Sequence, residues 1–186
     1  RECDLYLDWY LPKLAGKIPS DIERNEFHAS LTASLDKLEV LPRVPVHLDY
    51  HSRNLMLPTS GVPLGQIDYQ DAVMGPVTYD LASLLYDCYQ DYPEDERRYW
   101  SRLFFETLPM QLSGYFESFE DWHHCLRVTA LQRHIKAIGI FARLSYRDGK
   151  TQFLDEIPLT RKHLIEEMQA LKISSEEISL LWIEPI

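Results

Sequence analysis

VHLDYHSRNLMLPTSGVPLGQIDYQDA, residues 46–72, is the stretch on which the reading of this chain turns. Two short apolar runs flank a cluster of turn formers, Pro58, Thr59, Ser60, Gly61 and Pro63, the pattern of a hairpin that folds back near Gly61. Pairing the runs around Gly61 places Asn54 opposite Asp68, Leu55 opposite Ile67 and Met56 opposite Gln66. Opposed side chains share a face about 5 Å apart, so an amide oxygen and a carboxylate are expected to meet at the open end. Such a pair suits Mg2+, which keeps waters and phosphate oxygens beside a few protein oxygens. Asp49 stands five residues before Asn54, in the loop leading into the first strand. A carboxylate there is placed to take the proton of an attacking hydroxyl in phosphoryl transfer, where positioning and charge neutralisation do most of the work.

Outward from this hairpin the pattern is helical. Leu5, Trp9 and Leu11 recur near helical spacing in a first helix limited by Pro12. Ser20 followed by Glu23 has the capping-box pattern and starts a second, with Phe27, Leu31, Leu35 and Leu38 along one face. LPRVPV breaks it. After Gly75-Pro76, helices are expected over 79–90, 94–115, from Ser118 to about Tyr146 with Asp148-Gly149 ending it, and from near Pro158 onward. Trp122, Leu126, Leu131, Ile135, Ile138 and Ala142 form the stripe of the long helix, widened by Ile140 and Phe141. Gly139 within it costs about 1 kcal/mol relative to alanine, which close helix packing explains. The ISLLWIEPI tail is expected to pack on the surface. The chain therefore reads as one domain over 1–186, mainly α with a small embedded β-hairpin.

Composition narrows the function class. With 186 residues, 45% of them hydrophobic, and only 7 glycines, the chain has the makings of a real core and is neither disordered nor fibrous. A net charge of −10 and the lack of any basic block argue against nucleic acid or an anionic membrane as partner. Cys3, Cys88 and Cys125 are odd in number, far apart and form no CxxC, as expected of reduced cysteines in a cytoplasmic protein. No apolar run is long enough to cross a bilayer, and no charged-then-apolar leader is visible.

His47-Leu48-Asp49, then Asn54, then Ile67-Asp68 resemble the catalytic loop and metal-binding segment shared by protein kinases and aminoglycoside phosphotransferases. The continuation DAVMGPVTYDLASLL is similar to the phosphotransferase branch; the D-F-G and A-P-E of protein kinases are absent. Within that branch, NLML, IDYQDAVMGPVTYDLASLL and LQRHIKAIGIFARL resemble bacterial kinases that phosphorylate the anomeric hydroxyl of N-acetylmuramic acid and N-acetylglucosamine. The likeness implies the helical C-terminal lobe of the protein-kinase-like fold. It also implies an ATP- and Mg2+-dependent kinase acting on a small-molecule hydroxyl, that of an amino sugar in cell-wall sugar recycling.

By this likeness Asp49 is the catalytic base, Asn54 and Asp68 hold the metal, His47 braces the catalytic loop, and Asp80 supports that loop from the next helix. Leu48 stands where arginine or glycine is common, and Tyr69-Gln70 replaces the usual aromatic-glycine pairs. The family completes its ATP site with an N-terminal lobe that supplies a nucleotide-covering loop, a strand lysine and an orienting glutamate. Only two helices are read before Asp49, and the first residue is Arg1 rather than methionine. The expectation is one lobe of a larger protein, able to fold alone but to transfer phosphate poorly or not at all. Its expected partners are a sugar acceptor and that N-terminal lobe.

Other readings stay open. The same motifs serve aminoglycoside, choline or homoserine acceptors, and the acidic balance suits a cationic one. A catalytically silent binding module that keeps the kinase shape belongs to another class; an intact Asp49, Asn54 and Asp68 argue against it. His47, Asp49 and His51 form H-x-D-x-H, a metallohydrolase ligand pattern, with no further histidine cluster to support it. Gln70 and Asp71 are candidates for acceptor hydroxyls or for loop bracing. Arg133 and His134 on the long helix are candidates for the acceptor pocket, or for solvated charge and core packing. His123 and His124 point in different directions on that helix, and the aromatic-rich stretch 86–115 reads as core.

Overall fold

The structure, a computed structural model, describes residues 2–59 and 61–185. Ser60 of the expected turn, and Arg1 and Ile186 at the ends, lie outside the described residues. A π-helical turn, Tyr6–Tyr10, runs into α1 (Leu11–Leu14). Pro12 sits in the first turn of α1, where its missing N–H is tolerated. The widened turn lets the Leu11 N–H reach the Tyr6 carbonyl, and it buries Tyr6, Leu7, Tyr10 and Leu11. Of the expected face Leu11 is buried, whereas Leu5 and Trp9 are only half-buried. In α2 (Asp21–Glu39) the capping box is reciprocal, with the Ser20 N–H donating to Glu23 Oε2 at 2.7 Å and the Glu23 N–H to Ser20 Oγ at 3.3 Å.

The strands β1 (Arg43–Val46), β2 (Leu55–Met56), β3 (Gly65–Gln66) and β4 (Val73–Pro76) make two antiparallel pairs, β1 with β4 and β2 with β3. The first pair was not expected. Gly75 faces Val44 there, and a Cβ on it would lie 2.6 Å from Val46 Cγ2, so glycine permits the close approach. The β2–β3 hairpin forms, but its register differs from the expected one. Leu55 faces Gln66 and Met56 faces Gly65, so the fold-back is centred half a residue before Gly61. Pro58 and Pro63 lack ladder donors, and each strand has only two residues, so no long apolar alternation pins the pairing.

The remaining elements are α3 (Tyr79–Leu85), α4 (Glu94–Thr107), α5 (Met110–Ser113), α6 (Phe119–Asp148) and α7 (Ile157–Ala170), with 3-10 turns at Ser52–Asn54, Thr151–Glu156 and Ser179–Trp182. α3 is shorter than expected because the Asp87 carboxylate accepts the Tyr89 N–H at 2.9 Å, an Asx turn that competes with helix. The expected 94–115 helix is split: Leu108, the residue before Pro109, is extended at φ −63°, ψ 134°. α6 starts with the Asp121 N–H donating to Ser118 Oγ at 3.2 Å, and Gly149 at φ 68° follows its end.

Two compact units are present, Arg1–Asp36 with Leu131–Ile186, and Lys37–Ala130. In the first, Tyr6, Tyr10, Ile135, Ile138, Leu164 and Leu181 are wholly enclosed. Leu180 and Leu181 of the tail are core rather than surface. The second has two adjoining clusters. One gathers Leu41, Val77, Phe116, Phe119, Trp122 and Cys125; the other gathers Ala82, Leu85, Tyr86, Leu126 and Ala130. Trp122, Leu126, Leu131, Ile135, Ile138 and Ala142 of the expected α6 stripe are all fully buried. No disulfide joins Cys3, Cys88 and Cys125, all buried, and burial pushes the Cys3 and Cys125 thiols up to about 11.

Candidate active site

The site is built in the second unit by the loop between β1 and β2. β1 ends on the buried Val46, and the chain then turns through Leu48 at φ 73°, a left-handed conformation unusual for leucine. Asp80, in the first turn of α3, holds this bend. Its Oδ2 accepts the His47 N–H at 2.7 Å and its Oδ1 accepts the Leu48 N–H at 3.2 Å. One half-buried carboxylate thereby satisfies two amides that the bend removes from the β1 ladder. The buried His47 ring donates from Nε2 to the Ile67 carbonyl at 2.9 Å, tying the loop to the segment that carries Asp68.

Beyond this bend, Asp49 is exposed and Asn54 is half-buried. The His51 N–H donates to the Asp49 carbonyl at 3.0 Å, and Asn54 Nδ2 donates to the same carbonyl at 3.0 Å. The Ile67 N–H donates to the Asn54 carbonyl at 3.1 Å, so Asn54 lies opposite Ile67, one place from the expected partner Asp68. Strand alternation stops at Gln66, because Asp68 has φ 68°. The left-handed residue bends the chain just where the carboxylate stands. Asp68 is exposed and its Oδ1 accepts from Gln70 Nε2 at 2.6 Å; Asp71 is exposed beside them.

His47, Asp49, Asn54, Ile67-Asp68, Gln70 and Asp80 therefore form one hydrogen-bonded patch, with its carboxylates open to solvent at Asp49 and Asp68. Arg133 and His134 are on the part of α6 in the other unit. His134 is wholly buried with its ring 5.6 Å from that of His163, and Arg133 is half-buried. The H-x-D-x-H pattern gathers no ligand set: His47 Nε2 is engaged by Ile67, and the His51 ring packs edge-on to Tyr89. His123 is buried against Phe119 while His124 is exposed.

The sequence profile of the phosphotransferase enzyme family (APH) matches residues 2–123. The chain belongs to that family. Over 163 residues it is 38% identical to an N-acetylmuramate/N-acetylglucosamine kinase of Neisseria meningitidis serogroup B, covering 85% of this chain and 47% of that protein. Proteins of the same name from Pseudomonas aeruginosa and Pseudomonas putida are 36% and 34% identical over 171 and 158 residues. Those matches take in 88% and 85% of this chain and 48% and 46% of the relatives. The chain spans about half the length of the relatives it matches.

A phosphotransferase implies ATP, and typically Mg2+. Among the described residues no group of three or more His, Cys, Asp or Glu side chains is arranged to hold a metal ion by itself. A nucleotide-bound Mg2+ does not require one, since phosphates and waters fill most of its octahedron. Asn54 donates an amide hydrogen to the Asp49 carbonyl, which leaves Oδ1 as its acceptor atom, and Asp68 adds an exposed carboxylate. Hard oxygen donors are the ligand chemistry such an ion takes.

One contact was missed from the sequence. The Ser52 N–H donates to Asp87 Oδ2 at 2.9 Å, from a residue inside a stretch read as core. The available signal was a carboxylate inside an otherwise apolar run, LASLLYDCY.

Proposed function

We propose that this chain is the helical C-terminal lobe of a cytoplasmic, ATP- and Mg2+-dependent kinase of cell-wall sugar recycling. Its acceptor in this reading is the anomeric hydroxyl of N-acetylmuramate or N-acetylglucosamine. The observation that carries the reading is the shared carbonyl of Asp49, which receives both the His51 amide and the Asn54 side chain. Proposed base and proposed metal ligand are thereby held within one turn, with the Asp49 carboxylate open to an incoming substrate.

Asp49 accepts the proton of the sugar hydroxyl as its oxygen bonds to the γ-phosphorus, while the bond from that phosphorus to the bridging oxygen breaks and ADP departs. Asn54 and Asp68 would hold Mg2+, which neutralises phosphate charge when bound. Asp80 and His47 keep the loop in place; Gln70 and Asp71 face the acceptor. His134, enclosed beside His163, serves packing in this reading.

Two facts support an N-terminal lobe elsewhere in the full protein. The chain spans about half of its relatives. Met56, Leu57, Val62, Tyr69, Val73 and Met74, on the strands and loops of the site itself, are all exposed, as apolar side chains awaiting a covering partner would be.

The test is phosphate transfer by the full-length protein to a panel of sugars, aminoglycosides, choline and homoserine. Asp49→Asn is expected to lower kcat by about 100-fold or more on the amino sugars. Wild-type turnover by Asp49→Asn removes Asp49 from the mechanism. Transfer only to cationic acceptors replaces the sugar, and nucleotide binding without any turnover favours a silent module.

A further inference from the structure

Asp87 lies two residues beyond α3 and is 1% exposed. A carboxylate so far from water persists only where good donors replace its hydration. Here the donors are the Ser52 N–H on Oδ2 and the Tyr89 N–H on Oδ1, both at 2.9 Å. Ser52 opens the 3-10 turn that ends on Asn54, and the first N–H groups of such a turn have no partner within it. The neighbours of Ser52 meet the same segment. The Arg53 guanidinium lies 3.6 Å from the centroid of the Tyr89 ring, and the His51 ring meets Tyr89 edge-on at 5.1 Å. Three consecutive residues before Asn54 are thus gripped by 87–89, the middle one through its backbone and the outer two through their side chains. On the opposite side, the turn is tied to Asp49 through Asn54 and His51.

We propose that Asp87 and Tyr89 are positioning residues: they clamp the 51–53 turn and so set the spacing between the Asp49 carboxylate and the Asn54 amide oxygen. This rests on the phosphotransfer reading above. The physical case is one of leverage. A short 3-10 turn has poor internal hydrogen bonds, and a misplacement of about 1 Å at a reacting centre lowers a rate by roughly 100-fold. Asp87 touches no reacting atom; it acts through Ser52.

The experiment uses the full-length protein with Asp87→Asn, Tyr89→Ala and Tyr89→Phe. Amide hydrogen exchange of 49–54, without nucleotide or metal, is read beside kcat, acceptor KM and the Mg2+ concentration giving half-maximal rate. Asp87→Asn keeps one acceptor oxygen but turns an NH2 towards an N–H. It is expected to speed exchange at Ser52 and to lower kcat or raise the Mg2+ requirement about 10- to 100-fold. Acceptor KM should stay within about twofold, since acceptor binding is not what the clamp sets. Tyr89→Phe keeps the ring and should retain wild-type exchange over 49–54; Tyr89→Ala should not. Wild-type exchange and Mg2+ requirement in folded Asp87→Asn would overturn the clamp. If Asp87→Asn does not fold, the tyrosine pair decides, and identical behaviour of Tyr89→Ala and Tyr89→Phe overturns it. A wild-type protein that phosphorylates no hydroxyl acceptor sinks the phosphotransfer reading and the clamp together, whereas an active wild type with unchanged variants sinks the clamp alone.

Discussion

Leu48 sits at φ 73°, where the Cβ of an L-residue crowds its own carbonyl at a cost of about 1–2 kcal/mol. Two hydrogen bonds to Asp80 offset that strain, since bonds to a charged acceptor contribute roughly 1.5–3 kcal/mol each. The bend is therefore held only while Asp80 is in place. A β-branched residue tolerates this conformation least. Leu48→Val is expected to lower the stability of the full-length protein by about 1–2 kcal/mol more than Leu48→Gly. Urea midpoints of the two variants check this, and equal midpoints would show that the bend stores no strain. The position was visible in the sequence as a departure from the arginine or glycine common there, but its conformation was not. A backbone angle depends on what receives the neighbouring amides, and Asp80 is more than thirty residues away.

Among the elements, α6 shows how far local spacing carries. Its stripe from Trp122 to Ala142 is buried as expected, because residues three and four apart face the same way whatever surrounds the helix. Gly139 was expected to mark close packing, and the structure supplies the neighbour: a Cβ there would lie 2.4 Å from the Tyr6 nitrogen and 2.5 Å from the Leu5 carbonyl carbon. Two effects oppose each other in Gly139→Ala. Helix propensity favours alanine by about 1 kcal/mol, but a clash with backbone cannot be relieved by a rotamer change, and overpacking costs about 1–3 kcal/mol. The clash is expected to win, giving net destabilisation of about 1 kcal/mol or more by thermal melting of the full-length protein. A higher melting temperature in Gly139→Ala would mean that the π-helical turn yields. Where sequence reading erred on helices, the cause was a local competitor: Pro109 split one, and the Asx turn of Asp87 ended another.

For the molecule as a whole, the acidic balance, the exposed apolar side chains around 56–74 and the half-length match to its relatives belong together. A net charge of −10 gives no general attraction for a nucleotide, so in the proposed reading phosphate is met by local donors and Mg2+. Among the described residues the proposed site offers the oxygens of Asp49, Asn54 and Asp68, while the Arg53 guanidinium packs over Tyr89. Residues 1–186 alone are therefore expected to give no ATP turnover above background under conditions where the full-length protein phosphorylates its acceptor. A coupled ADP assay on both proteins checks this. Comparable turnover by the shorter one would mean that no second lobe is needed for chemistry.

The sequence by itself determined the capping box that starts α2, the Ser118 start of α6, the α6 stripe and the family. The caps and the stripe rest on residues within a few turns of one another, where covalent spacing dictates geometry. Only the tertiary structure decided the β1–β4 pairing, the one-residue shift of the hairpin, the left-handed bends at Leu48 and Asp68, and the contact of Asp87 with Ser52. The β1–β4 pairing, the Leu48 bend and the Asp87 contact join segments some thirty residues apart, and their choice is made by which amides find an acceptor when the cores close.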